Sequence, residues 1–294
     1  MRKELSESEV VTTVREIRDK APGIGAYKLF LILRDLYPQE MRGRDWFYRL
    51  MHEHHLMLKP QRRRHTTNSN HNYRKYKNLI KGMTVVRVNQ LWVADITYIA
   101  LASGDVCYLH LITDAYSHMI VGWALADSLK AAISMQALQM AIDQAVEMCG
   151  DQCLTGLVHH SDRGVQYCCD AYVTMLKEHG IAISMTEDYK PTDNAIAERT
   201  NGIIKTENVH PQQQLPTFEQ ARDSISRFIH FYSHCRPHMS IGYKTPAEVH
   251  QQQGEQRKMW KNKIYSKHET ENKKEYVSWP CQTDSLGEGV CQRT

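Results

Sequence analysis

Three acids stand out for the chemistry they could share. They are Asp95 in Trp92-Val93-Ala94-Asp95-Ile96-Thr97-Tyr98, Asp162 in His159-His160-Ser161-Asp162-Arg163-Gly164, and Glu198 in Asp193-Asn194-Ala195-Ile196-Ala197-Glu198-Arg199. The first ends an apolar, strand-like run, the second follows another such run, and the third lies in a helical stretch. Thirty-five residues separate Asp162 from Glu198. Two strand-borne aspartates and one helix-borne glutamate can converge into a set of hard oxygen ligands. Such a set holds Mg²⁺ and leaves room for substrate phosphates. Two ions about 4 Å apart can stabilise the attacking and leaving oxygens of an in-line phosphoryl displacement. These residue types point to chemistry on a nucleic-acid backbone.

Competing chemistries fit less well. An acid inside an apolar run is costly to bury unless it is paired or metal-bound, although a strand-end Asp held by hydrogen bonds is the plainer reading of any one of them. Asp114, at the end of Leu111-Ile112-Thr113, is a further candidate, either as a turn-former or as an outer partner of the metal-binding acids. The run His159-His160-Ser161-Asp162 contains the parts of a hydrolase triad. Neighbours on an extended segment point in opposite directions, however, and cannot relay protons to one another. Cys149, Cys153 and the two histidines have irregular spacing for structural zinc. Gly23 and Gly25 lack the further residues of a phosphate loop and mark only a turn. On the last core helix, Glu198, Gly202 and Lys205 share one face at i, i+4 and i+7. That face combines a metal-binding carboxylate, a small residue that admits a DNA backbone, and a phosphate-binding cation.

The elements that must position these acids follow from periodicity. Residues 91–101, 106–113 and 119–125 have the pattern of three successive strands, with Gly104 and Ser117-His118 at the turns. A helix over 131–146, a strand over 154–159, a helix over 172–178, a strand over 181–185 and a helix over 194–205 come next. This order predicts an α/β fold of the RNase H-like (integrase core) kind, a mixed five-stranded sheet flanked by helices. Helices over 218–232 and 246–252 close a core spanning 89–250.

Ahead of the core, apolar residues at helical spacing (Val10, Val14, Ile17; Leu29, Leu33, Leu36; Phe47, Leu50, Met51) predict three short helices over residues 1–58. Their basic residues Lys28, Arg34, Arg42, Arg44 and Arg49 are compatible with a small helix-turn-helix-like DNA-binding module or with an ordinary helical bundle. Residues 59–88 read as a basic linker. Its Lys59, Arg62, Arg63, Arg64, Arg74, Lys75, Lys77 and Lys81 are accompanied by no acid up to Gly82. Such a stretch buries no core and suits contact with phosphates. Residues 251–294 form a polar tail expected to be disordered.

The 294 residues are 41 % hydrophobic, enough for a core. No apolar stretch reaches the length of a membrane span, and no apolar segment follows Met1-Arg2-Lys3-Glu4, so no secretory signal is expected. The eight scattered cysteines fit no disulfide framework, which favours a reducing cytosol. The net charge of +4 conceals an asymmetry: residues 1–88 hold 19 Lys/Arg against 9 Asp/Glu, and residues 89–250 hold 10 against 18. A basic front suits a polyanion, whereas an acidic core would repel DNA unless metal ions neutralise part of it.

Four pieces stand in order: Trp92-x2-Asp95-Ile96-Thr97-Tyr98, His160-Ser161-Asp162-Arg163-Gly164-x-Gln166-Tyr167, Asp193-Asn194-Ala195-x2-Glu198 and Arg236-Pro237-His238-x5-Lys244-Thr245-Pro246. Together they resemble the second-frame (OrfB-type) transposase of bacterial insertion sequences with a retroviral-integrase-like core, from about Val11 to His250. Departures from the family's usual residues are Ser233, Arg199 and Lys190-Pro191-Thr192. The resemblance implies a DNA transposase that cleaves and transfers strands with two Mg²⁺ ions, for which Mn²⁺ may substitute, held by Asp95, Asp162 and Glu198. Arg62, Arg63, Arg64, Lys190, Lys205 and Arg236 are the expected DNA contacts. It also implies an upstream-frame (OrfA-type) partner, often joined by frameshifting, and a homo-oligomer acting on element ends and target DNA. An RNase H-like nuclease and a catalytically idle, transposase-derived DNA-binding protein are the alternatives.

Overall fold

The apolar run at Leu91 becomes the central strand of the sheet, β1 (Leu91–Ala100). The computed structural model describes residues 4–58, 73–187, 194–212 and 215–255. β1 pairs antiparallel with β2 (Val106–Asp114), from Trp92 opposite Asp114 to Ala100 opposite Val106. β2 in turn pairs antiparallel with β3 (Ile120–Ala126). The chain then crosses through α4 (Ala131–Cys149) to β4 (Val158–Ser161), which lies parallel to β1 on its other side. Short α5 (Val165–Cys168) and α6 (Asp170–Glu178) lead to β5 (Ala182–Met185), parallel to β4. Parallel pairs need such helical crossovers. The sheet order β3-β2-β1-β4-β5 is the mixed five-stranded arrangement predicted from the element order.

Alternation along β1 sends its side chains to two cores. Trp92 and Ala94 pack with Leu138, Ala141 and Ile142 of α4 and Tyr172 and Leu176 of α6. Ile99, with Leu109 and Leu111 of β2, faces the other layer. That layer contains α7 (Ala195–Ile204), which continues into a π-helical turn at Lys205–Val209, and α8 (Phe218–His234). The same apolar cluster takes in α1 (Glu7–Lys20), α2 (Ala26–Leu36) and α3 (Arg44–Glu53). α1 begins with a capping box between Ser6 and Glu9, which satisfies amide donors that a helix start leaves open. The three N-terminal helices thus share one core with Phe228 and Tyr232.

Their seam with α7 is a buried ionic joint. Glu207, in the π-helical turn, accepts hydrogen bonds from Arg236 Nε and Nη2, both at 2.7 Å, and from Lys28 Nζ of α2 at 2.8 Å. Arg236 Nη1 also donates to His238 Nε2 at 3.0 Å. Burial pushes the Glu207 carboxyl up, but the bonds and charge of Arg236, with Lys28, more than offset it and leave the carboxyl below its ordinary value. Beside it, Gly23 donates its amide to the Glu207 carbonyl. A Cβ at Gly23 would sit 2.1 Å from the Thr206 carbonyl oxygen, so only glycine lets the α1–α2 turn cross here.

Several expectations change. Residues 154–159 do not begin the fourth strand: Asp151–Leu154 is a 3-10 turn and the strand starts at Val158. Cys149 and Cys153 form a disulfide across the end of α4, with Cα atoms 5.7 Å apart, where no disulfide was expected. Lys28 is drawn into the joint and is not part of an exposed basic face. The last part of the linker is docked and not a bare tether. Tyr76, Ile80, Met83 and Val85 pack on the core, Leu79 donates its amide to Ser184 Oγ at 2.9 Å, and Lys81 pairs with Glu187. No helix among the described residues is long and apolar enough to cross a membrane. The final helix, α9 (Pro246–Val249), is shorter than expected, and most of the tail lies outside the described residues.

Candidate active site

Strand pairing aligns the first two acids. Val93 of β1 lies opposite His160 of β4, so Asp95 and Asp162 each come two residues after the last paired position of neighbouring parallel strands. Two amides then lay α7 across β1. Asn194 Nδ2 donates to the Ala94 carbonyl at 3.1 Å, and Asn201 Nδ2 donates to Asp95 Oδ2 at 2.6 Å. Glu198 lies between these two anchors, one turn before Asn201, while Ala197 packs against Leu91, Val93 and Val158. Asp162 is held by its own loop, because the Gly164 amide donates to Oδ1 at 2.9 Å. A Cβ at Gly164 would lie only 2.9 Å from that oxygen, so glycine lets the loop close around the carboxylate.

The electrostatics show three acids within one another's field. Asp95 is pushed up to about 7, first by burial, then by Asp162, with Glu198 adding to the effect against the opposing bonds from Ile96 and Asn201. Burial, Tyr172, Asp95 and Asp162 together also raise the Tyr167 hydroxyl. Like charges crowded in a low-dielectric setting favour protonation or a cation. Among the described residues, no three His, Cys, Asp or Glu side chains already stand at metal-ligand spacing. The donor set is nonetheless all hard oxygen, and the raised Asp95 is a charge that a divalent ion would relieve.

Lys205, at the end of this face of α7, holds its Nζ 4.2 Å from the ring centre of Tyr98. Burial lowers its pKa, while Tyr98 and Asp95 act in the opposite direction. Gly202 has nothing within 4 Å of where a Cβ would be, so packing within the chain does not require a glycine there. Arg236, expected to touch DNA, is 2 % exposed and committed to Glu207. Arg62, Arg63, Arg64 and Lys190 lie outside the described residues. Asp114 is fully buried at the far end of β2 and accepts from the amides of Asn89, Tyr116 and Ser117 and from Ser117 Oγ. Ser117 Oγ also bonds His250. Asp114 therefore builds a turn.

His159 and His160 diverge: His159 meets the Tyr172 hydroxyl and His160 meets Ser184 Oγ. His159 is lowered to about 3 by burial and by His160. Ser161 Oγ donates to the Asp162 carbonyl at 2.9 Å, so the run does not form a Ser-His-Asp relay. Sequence reasoning missed Asn194, Asn201 and Glu207. Asn201 stood at i+3 from Glu198, a spacing that shares a helix face as i+4 does.

The chain is similar to known proteins. The pattern of an integrase core domain matches residues 85–191, and a second integrase core domain pattern matches residues 179–246. A putative transposase for insertion sequence element IS986/IS6110 from Mycobacterium tuberculosis is 33 % identical over 161 residues, 55 % of this chain and 57 % of its own length. The 31 kDa protein of insertion element IS600 from Shigella sonnei is 35 % identical over 208 residues, 70 % of this chain and 74 % of its own length. A solved structure of the HTLV-2 integrase catalytic core in complex with magnesium aligns with 56 % of this chain and 97 % of its own, at 17 % identity and a TM-score of 0.44.

Proposed function

This chain belongs to the integrase-core transposases of bacterial insertion sequences, and from that premise we propose that it cuts and joins DNA strands as a metal-dependent polynucleotidyl transferase. The observation that carries the reading is the half-buried Asp95, bonded by Asn201 of the helix that bears Glu198 and raised by burial, then by Asp162, with Glu198 adding to it. Asp95, Asp162 and Glu198 would hold two Mg²⁺ ions, with Mn²⁺ as a substitute. When bound, the ions would stabilise the attacking and leaving oxygens and favour deprotonation of the nucleophile.

The chain's own groups do the positioning. Asn201 holds Asp95 Oδ2 at a fixed angle, Gly164 holds Asp162 Oδ1, and Lys205 offers a cation to a phosphate beside the acids. Water first cuts the element end and exposes a 3′-hydroxyl. That hydroxyl then attacks a second phosphodiester, whose own 3′-oxygen leaves and takes up a proton. One ester bond replaces another, so joining needs no nucleotide hydrolysis. The N-terminal helices and the basic stretch before β1 would bind the ends without reading most of the sequence. An upstream-frame partner and a homo-oligomer on paired ends belong to the same reading.

The nuclease alternative calls for a further acid at the site. Asp114 is tied into its turn by Asn89 and Ser117, which weighs against it. The test is a disintegration assay: labelled branched DNA mimicking a strand-transfer product, Mg²⁺ or Mn²⁺, the full chain, and Glu198→Gln alongside. Metal-dependent joining lost in the variant is the expected result. Cleavage without joining identifies a nuclease, and salt-sensitive binding without turnover, unchanged by added upstream product, identifies an idle DNA-binding protein.

A further inference from the structure

Tyr98 does not behave as a structural tyrosine. It remains 42 % exposed and belongs to none of the apolar clusters among the described residues. It lies three residues beyond Asp95 on the same strand, about 10 Å at the usual rise. β4 pairs with β1 only at Leu91, Trp92 and Val93. From there to the isolated bridge between Leu101 and Leu215, β1 has no strand neighbour on that side among the described residues. Alternation turns the Tyr98 ring to the sheet face opposite Asp95, and at this open edge Lys205 is the group whose surroundings include both. Lys205 covers it at 4.2 Å, a cation–π distance, from the helix that carries Glu198. Across the strand pair, Tyr98 faces Tyr108, which is only half-buried.

We propose that Tyr98, braced by Lys205, is a stacking platform for an unpaired nucleobase next to the phosphate that is cut or joined. This rests on the transferase reading and adds a base-binding subsite to it. The chemistry divides naturally: the acids and their ions take the phosphate, Lys205 neutralises its neighbour, and the aromatic face takes the base. Base–aromatic stacking accepts any base, because each has a π-face. The subsite would hold a frayed terminal nucleotide in place without choosing its identity. Stacking would also bias the end toward an unpaired state, which an in-line attack at the terminal phosphate requires.

Photocross-linking tests this directly. 5-Iodouracil is placed in turn at each of the nucleotides flanking the scissile phosphate of the branched substrate. The full chain and Glu198→Gln are irradiated on it, and cross-linked peptides are mapped. A cross-link at Tyr98 is expected with one or two flanking positions, in both proteins, although the variant does not join strands. Tyr98→Phe should keep joining, whereas Tyr98→Leu should lose the cross-link and lower joining about 10- to 100-fold, with an unchanged melting temperature because the ring is exposed. Cross-links elsewhere but never at Tyr98, or unchanged joining by Tyr98→Leu, overturn the proposal alone. No cross-link at any residue, with no joining by the full chain, overturns the transferase reading and this subsite with it.

Discussion

Glu198 and Glu207 stand nine residues apart on one continuous helical stretch, yet their surroundings are opposites. Around Glu198, Asp95 is raised first by burial, then by Asp162, with Glu198 adding to it, and Lys205 is a cation whose field reaches Asp95. Around Glu207 two cations, Lys28 and Arg236, complete the charge balance, and the carboxyl is held low. The first cluster keeps Asp95 raised and suits ions supplied from outside. The second is self-sufficient and serves as a fastening. A buried acid by itself announces neither role; the sign of its neighbours does.

The contrast can be broken at either end. Asp162→Asn should reduce strand joining roughly a thousandfold or more, as expected when charge stabilisation of the transition state is removed, while the melting temperature holds. At the other end, Arg236→Met leaves the buried Glu207 carboxylate with Lys28 alone and should cost about 3–5 kcal/mol in urea unfolding. The triple variant Lys28→Met/Glu207→Leu/Arg236→Met should recover much of that loss, because no member of the joint is then left as a buried, unpaired charge. If the single variant costs less than 1 kcal/mol, the joint is not a fastening.

Smaller effects sharpen the comparison. Asn201→Ala should raise the Mg²⁺ concentration needed for half-maximal joining about 10- to 100-fold, the usual effect of removing a partner that orients a metal ligand. Asp95→Asn should abolish joining but raise the melting temperature in EDTA, about 2–4 °C per kcal/mol of relieved repulsion. Added Mg²⁺ should then stabilise the unaltered chain and not the variant. The joint has the reverse dependence on acid. The Glu207 pKa is depressed on folding from its ordinary 4.5. Its stabilisation is therefore complete above that value and is lost as pH falls through the lower, folded pKa. Urea midpoints of the unaltered chain and Arg236→Met should converge below about pH 4.5. A constant gap down to pH 3 would contradict this.

The sheet was legible because strand length, alternation and glycine punctuation all agreed. The start of β4 was not, since Cys153, Leu154 and Leu157 are as buried as strand residues, and an apolar run does not distinguish a turn from a strand. Asp95, Asp162 and Glu198, the proposed site, drew notice in the sequence because an acid beside or among apolar residues needs a reason. Asn194 and Asn201 carry no such signal: a neutral amide in a helix is ordinary until its partner is known. Arg236 was assigned to DNA on its charge, but charge does not reveal what neutralises it. Only the fold brings Glu207 to it. Tyr98 stood inside a quoted motif, yet strand patterning says nothing of a ring left uncovered.

The fastening also sets a timetable for the chain's birth. Lys28 waits for a partner 179 residues further along, so the earliest helices leave the ribosome long before Glu207 exists. At the usual 5–20 residues per second, that interval is about 10–40 seconds. Val10, Val14, Leu29 and Leu33 are buried in the finished protein partly against residues from 203 onward. Until those residues are made, this apolar surface has no lasting cover and is open to chaperones or to another nascent copy. A protein truncated before Glu207 would lack the acid that fastens its N-terminal helices, so synthesis of α7 and capture of the N-terminal helices become one late event.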